Sequence, residues 1–325
     1  MLVDTINIIK EYLPVGDTFT YEKIKTFVSG AESELAKVIG KTFYDQLDAH
    51  VPTTPPGITD LLIDKFQDSI CYTAYYLGFD IINANFSNQG IHRIEDEAKG
   101  KRALFQRQEV ELKNTFKRTG YNKLDDALAF LEENKSSFST WTSSPEYTMN
   151  RSHFINTTSD FHSYFNINNS RLVFLKLRPY QTFAEDFDVI AAIGRDYFDE
   201  LKTQIAADTL TAANITFVNR LKKAVAQLTI YHGGYSLLSD MNEFGLYTVE
   251  HASNTDNFVK QTQLKELFFD KIISAAKING DAYLNACKKF LKENIADYPT
   301  YANSDAYDAD ATTDRPTGTN KIVII

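Results

Sequence analysis

The stretch IGKTFYDQL at residues 39–47 returns as IGRDYFDEL at 193–201, 154 positions later. No other feature constrains the fold as much, because a chain that repeats itself at this distance is built from two copies of one unit. The repeat continues. QRQEVEL at 106–112 pairs with QTQLKEL at 261–267, aligning Gln106, Gln108 and Glu111 with Gln261, Gln263 and Glu266 as a candidate shared contact face. FLEENKSSFSTWTSSPEY at 130–147 then pairs with FLKENIADYPTYANSDAY at 290–307, matching Phe130 with Phe290, Phe138 with Tyr298 and Trp141 with Tyr301. The offset grows to 160, which predicts a small insertion near 272–283. A period this long gives two domains rather than a solenoid.

Each copy reads as helix. In the first, Ile24, Phe27, Leu35 and Val38 recur at helical spacing from Tyr21 and stop at Gly40. After the proline-rich VPTTPPG, a long helix is expected from Thr59 to Asn85, with Leu62, Phe66, Ile70, Leu77 and Ile81 on one face. At 1.5 Å per residue it would be roughly 40 Å long. Leu221, Val225, Leu228, Tyr235 and Leu238 supply the counterpart. A third helix is expected over 95–118, closed by Gly120, and a fourth over 124–135. The fold class is therefore mainly α, with helical domains at 1–147 and 181–301.

Two segments differ in character. Residues 148–180 are rich in Asn, Ser, Thr and His and end in SRLVFLKLRPY, whose β-branched and aromatic centre before Pro179 predicts a strand. Leu172, Phe174, Leu175 and Leu177 are its candidate contacts with a neighbour; an ordinary ordered linker is the alternative. Residues 302–325 read as an extended tail, acidic and polar before ending in KIVII. Lys321, Ile322, Val323, Ile324 and Ile325 form a candidate clasp that adds a strand to a partner's sheet edge, with docking on its own domain as the alternative.

The net charge of −9 argues against a general grip on nucleic acid. Cys71 and Cys287 sit in apolar helical patterns without a CxxC partner, and read as buried free thiols in a reducing compartment. The first residues do not read as a signal peptide, and no run approaches 18 apolar residues. The six histidines make no HExxH, and no phosphate-binding glycine loop or GxSxG elbow occurs. His153, Asp160 and His162 read as linker residues, and the glycines of IYHGGY at 230–235 as sites of close helix packing. No catalytic residue, cofactor or metal ligand is expected.

The helical pair of TYEKIKTFVSGAESELAKVIGKTFYDQL with the long helix at 59–85, and their second copies at 178–201 and 215–241, resembles the head–tail connector (neck adaptor) proteins of tailed bacteriophages. The resemblance implies a virion protein, assembled in the host cytoplasm, that forms a homo-oligomeric ring between the portal protein and other neck and tail proteins. Packaged DNA would pass through it, and no membrane or cofactor would be involved. Extended termini clasp neighbours in that family, a role that falls here on 321–325. Two units in place of one and the insert at 148–180 depart from the family pattern. A helical scaffold binding proteins or peptides outside a virion, and a hydrolase with dispersed residues, are the alternative readings.

Overall fold

The structure, a computed structural model, describes residues 1–87, 90–93, 106–242, 245–248 and 266–307. It divides into two compact units, 1–176 and 177–325.

The first unit opens with α1 (Ile6–Tyr12), α2 (Lys25–Ile39) and α3 (Lys41–Asp48), followed by the long α4 (Ile58–Ile82). Antiparallel strands β1 (Ala84–Ser87) and β2 (Gly90–Arg93) then lead to α5 (Gln106–Glu133). Short helices α6 (Ser139–Thr142), α7 (Pro145–Asn150) and α8 (Thr158–Tyr164) complete it, and the division falls within α9 (Arg171–Phe183). The second unit runs on through a π-helical turn at Ala184–Val189 into α10 (Ile190–Ile193) and α11 (Arg195–Ala207). Next come α12 (Ala212–Gly233), β3 (Ser239–Asn242), β4 (Gly245–Thr248), α13 (Glu266–Glu293) and α14 (Pro299–Ala302). The fold is mainly α.

The element order shows why the two halves echo. Helices α4 and α12 each end in a two-stranded antiparallel hairpin, Ala84 facing Arg93 in one and Ser239 facing Thr248 in the other. Each then packs along α5 or α13, both 28 residues long. The aromatic ends repeat in detail. Phe43 meets Phe138 edge to face at 5.7 Å, as Tyr197 meets Tyr298 at 6.0 Å; Trp141 meets Tyr147 at 4.6 Å, as Tyr301 meets Tyr307 at 5.7 Å. Such pairs stabilise beyond their buried area.

Several expectations are corrected. SRLVFLKLRPY is not a strand: it opens α9, where Phe174 N–H donates to the Ser170 carbonyl at 3.0 Å. The buried positions Arg171, Phe174, Leu177 and Gln181 step by three and four, so the helical period overrides β propensity. Pro179 sits exposed inside this helix and removes one hydrogen bond without ending it. Gly120 likewise ends nothing, since α5 joins the third and fourth expected helices through it. On α4, Leu62, Phe66 and Ile70 are buried as expected, but Leu77 and Ile81 are partly exposed and the stripe continues through Ala74, Gly78 and Ile82. The hairpins were not foreseen. Finally, α5 and α13 align from end to end at an offset of 160, so the extra residues fall between Thr248 and Glu266 rather than near 272–283. This dissolves the QRQEVEL–QTQLKEL pairing: Gln106 is the counterpart of Glu266, while Gln261 and Gln263 lie outside the described residues.

Candidate functional site

Three glycines hold equivalent close contacts in the two units. A Cβ on Gly78 would stand 2.4 Å from the Phe27 ring, and one on Gly233 would stand 2.6 Å from Tyr180. On Gly120 it would meet Thr73, with the backbone nitrogen at 3.0 Å; on Gly280 it would meet Leu228 at 2.6 Å. Gly40 and Gly194 have φ of +90° and +80° and break one helix from the next, each against the chain after α6 or α14: Glu146 and Ser144 in one unit, Ser304 and Asp305 in the other.

These anchors fix a residue-by-residue register, and the register exposes an insertion. Phe27 lies 13 positions before Gly40, whereas Tyr180 lies 14 before Gly194. Burial locates the extra residue. Ile24, Val28, Ala31 and Glu32 correspond to Leu177, Gln181, Ala184 and Glu185, all buried; Leu35 and Ile39 then correspond to Val189 and Ile193 one step later. Ser33–Glu34 of the first unit therefore corresponds to Asp186–Phe187–Asp188 of the second, inside the π turn. A π turn is how a helix absorbs one added residue without losing register at either end, and such turns concentrate at functional sites.

The insertion remakes one face of the second unit. Asp188, half-buried, accepts from Lys277 Nζ at 3.1 Å and pairs with His232 Nε2 at 2.7 Å; Lys277 also reaches Asp281 at 2.7 Å. Burial alone pulls the Lys277 ammonium down, but its hydrogen bonds to Asp281 and Asp188 carry it above the ordinary lysine value. Lys277 lies over the Tyr231 ring at 5.4 Å, and Lys117 lies over Tyr76 at 5.3 Å in the first unit, so that contact predates the insertion. Phe183 and Phe187 are new. Their rings stack at 6.0 Å with 9° between planes, yet they stay 44% and 67% exposed. Beneath them the buried Glu185 holds Lys202, whose ammonium burial pushes below its usual value even with that carboxylate beside it.

In the first unit the neighbouring face of the equivalent helix borders a cleft of about 470 Å³ lined by Ser29, Ser33, Ala36, Lys37, Lys41, Tyr44 and Glu146, with the buried Glu32 at its floor. Burial raises the Glu32 carboxyl, against the Val3 N–H that donates to it at 3.0 Å. Lys37 is exposed and makes no ion pair among the described residues; Lys41 is paired with Asp45.

A family profile matches residues 35–151 and again 190–311, one match per copy and most of the chain together. The chain belongs to DUF6712, a family of unknown function. No curated protein and no solved structure matches it. Each DUF6712 match contains one full set of the three glycines, and the π turn lies just before the second. The duplication is thus a doubling of the DUF6712 unit, and the π turn with Phe183, Phe187 and Asp188 lies outside the matched regions.

Of the residues singled out from sequence, Phe174 and Leu177 are buried in the protein's own packing, Phe174 against Phe161 at 6.0 Å, while Leu172 and Leu175 are half-buried. Lys321, Ile322, Val323, Ile324 and Ile325 lie outside the described residues. His162 has a local role: its Nδ1 accepts from Ile167 N–H at 3.2 Å and Asn169 N–H at 3.3 Å. Among the described residues no group of three His, Cys, Asp or Glu side chains is placed to hold a metal ion, and no helix is long and apolar enough to cross a membrane. Sequence reasoning missed Asp188, Phe183 and Phe187. The one signal for them was the 13-against-14 spacing, which needs both anchors before it can be read.

Proposed function

We propose that this DUF6712 chain is a structural protein of the tailed-phage neck, a ring component that joins the portal to the tail and surrounds the DNA exit channel. Its partners in this reading are the portal protein, other neck and tail proteins and further copies of itself, within the virion. The observation that carries the reading is the hairpin between the two long helices of each unit, repeated with the same register. A lone two-stranded hairpin is marginal in water and presents unpaired edges. Keeping two of them through a duplication favours a chain whose hairpins are completed by neighbours, as in a closed assembly. The net charge of −9 fits a channel past which DNA slides without sticking.

Negative-stain imaging of the purified chain, alone and with a portal protein, tests the reading. Closed rings are expected, and removal of residues 321–325 should weaken their attachment to the portal. A chain that stays monomeric with portal present would overturn it.

A further inference from the structure

We infer that the π-turn face of the second unit is the knob of a head-to-tail contact, and that its socket is the α2–α3 cleft on the first unit of another copy of this chain. The inference rests on the ring reading and adds the surfaces through which neighbouring subunits meet.

Duplication alone leaves a chain with two like faces, and like faces give no direction to an assembly. Rings need a heterologous contact in which two different patches of one subunit fit each other. The two units diverge at the equivalent helix face in just this sense. Where the first unit has Ser29, Ser33 and Lys37 around an open cleft, the second has Thr182, Asp186 and Ala191, with the inserted Phe187 next to Asp186 and Phe183, the counterpart of Gly30, stacked on it. Phe187 is 67% exposed, and an aromatic so exposed on a turn made by an inserted residue is not explained by the packing of its own unit.

Charge and shape both name the socket. Asp186 is exposed and makes no salt bridge among the described residues, and of the charges in the cleft, which include the Glu146 carboxylate, the exposed Lys37 is its unpaired opposite. Ala36 and Tyr44 offer the apolar wall that a phenyl ring requires. An aromatic anchor in a pocket with a complementary charge at its rim is the usual composition of an interface centre. Beneath the knob, Asp188 tied to His232 and Lys277 fixes the turn, so the two rings are presented by a rigid support.

Sedimentation velocity on the full chain, from micromolar concentrations upward, tests the contact. Phe187→Ser, Asp186→Lys and Lys37→Asp should each weaken self-association at least tenfold with unchanged helical circular dichroism, since all three side chains are exposed. The double swap Asp186→Lys with Lys37→Asp should restore it. Single variants that assemble like the parent would overturn the contact while leaving the ring reading intact, and so would single losses without rescue by the double swap. Open filaments or dimers that depend on Phe187 would support the contact and overturn the ring. A parent chain that is monomeric at every concentration overturns the contact outright.

Discussion

Ser304 packs directly on Gly194, its Oγ 3.5 Å from the neighbouring Ile193 carbonyl and its Cβ 2.7 Å from where a Cβ on the glycine would stand. Gly194 also has φ +80° and ψ 153°, a region nearly closed to other residues. Gly194→Ala should therefore lose about 2–4 kcal/mol, from backbone strain together with overpacking. Gly40→Ala should lose a similar amount, because its φ is +90° and the Glu146 carboxylate occupies the same space. Gly16→Ala is the control: nothing lies within 4 Å, and its change should stay within about 0.5 kcal/mol. Urea midpoints for the three variants check the order.

Gly120 and Gly280 lie inside long helices, where alanine ordinarily gains about 1 kcal/mol. Here the sign should reverse. A Cβ on Gly120 presses on the backbone of Thr73, and one on Gly280 presses on the buried Leu228 close to its branch point. Net losses of about 1–3 kcal/mol are expected for each alanine variant, measured by denaturant unfolding. A gain in either would show that the helix pair can separate at no cost.

If the π turn holds one inserted residue, deletion of Phe187 restores the spacing that already folds in the first unit. The deleted chain should keep its helical circular dichroism and melt within about 4 °C of the parent, since roughly 1 kcal/mol moves a domain of this size by a few degrees. Collapse of the second unit on deletion would show instead that the turn is required for folding.

The repeat was legible because duplicated residues sit at contacts that tolerate little change: Gly40 and Gly194, Phe138 and Tyr298, Trp141 and Tyr301. The packing role of the glycines near 233 was legible for the same reason, since two glycines in an apolar helix demand a close neighbour. The conformation of 171–179 was not. Leu-Val-Phe-Leu has β propensity, and only burial at Arg171, Phe174 and Leu177 shows the helical period that tertiary packing selects. The hairpins were obscured because ANFS and SDMN lack the β-branched run that announces a strand. The modified face was hidden most deeply, because a single added residue leaves no motif and is visible only as a shift between two fixed points.

Asp188 should act as a support. Asp188→Ala leaves the Lys277 ammonium and the His232 ring without their shared carboxylate in a partly buried site, and about 1–2 kcal/mol of stability should be lost. A double-mutant cycle with Lys277→Ala should show a coupling above about 0.5 kcal/mol, because the two groups share a direct hydrogen bond. Additive losses would mean that Lys277 is held by Asp281 and Tyr231 alone.

Cys71 and Cys287 link the fold to alkaline pH. Burial pushes the Cys71 thiol up to about 12 and that of Cys287 up to about 11. In the unfolded chain both ionise near the ordinary value of about 8.5–9. Below that value neither state has lost the proton and the thiols add no pH dependence. Above it the unfolded chain sheds protons that the folded chain retains, so stability must fall as pH rises from about 9, and the fall ends once the folded thiols ionise near 11 and 12. Each thiol should contribute a slope on the order of 1 kcal/mol per pH unit in this window. Buried tyrosines such as Tyr12, Tyr44 and Tyr197, whose hydroxyls burial also pushes up, add to the decline over the same interval, so the share of the thiols is the difference between the parent and a chain without them. Urea unfolding across that interval should show the decline in the parent and a shallower decline in Cys71→Val with Cys287→Ala, the difference being the contribution of the thiols. A colorimetric thiol reagent should find both cysteines silent in the native chain and both reactive in denaturant; rapid reaction of either in the native protein at pH 8 would contradict the burial on which this slope depends.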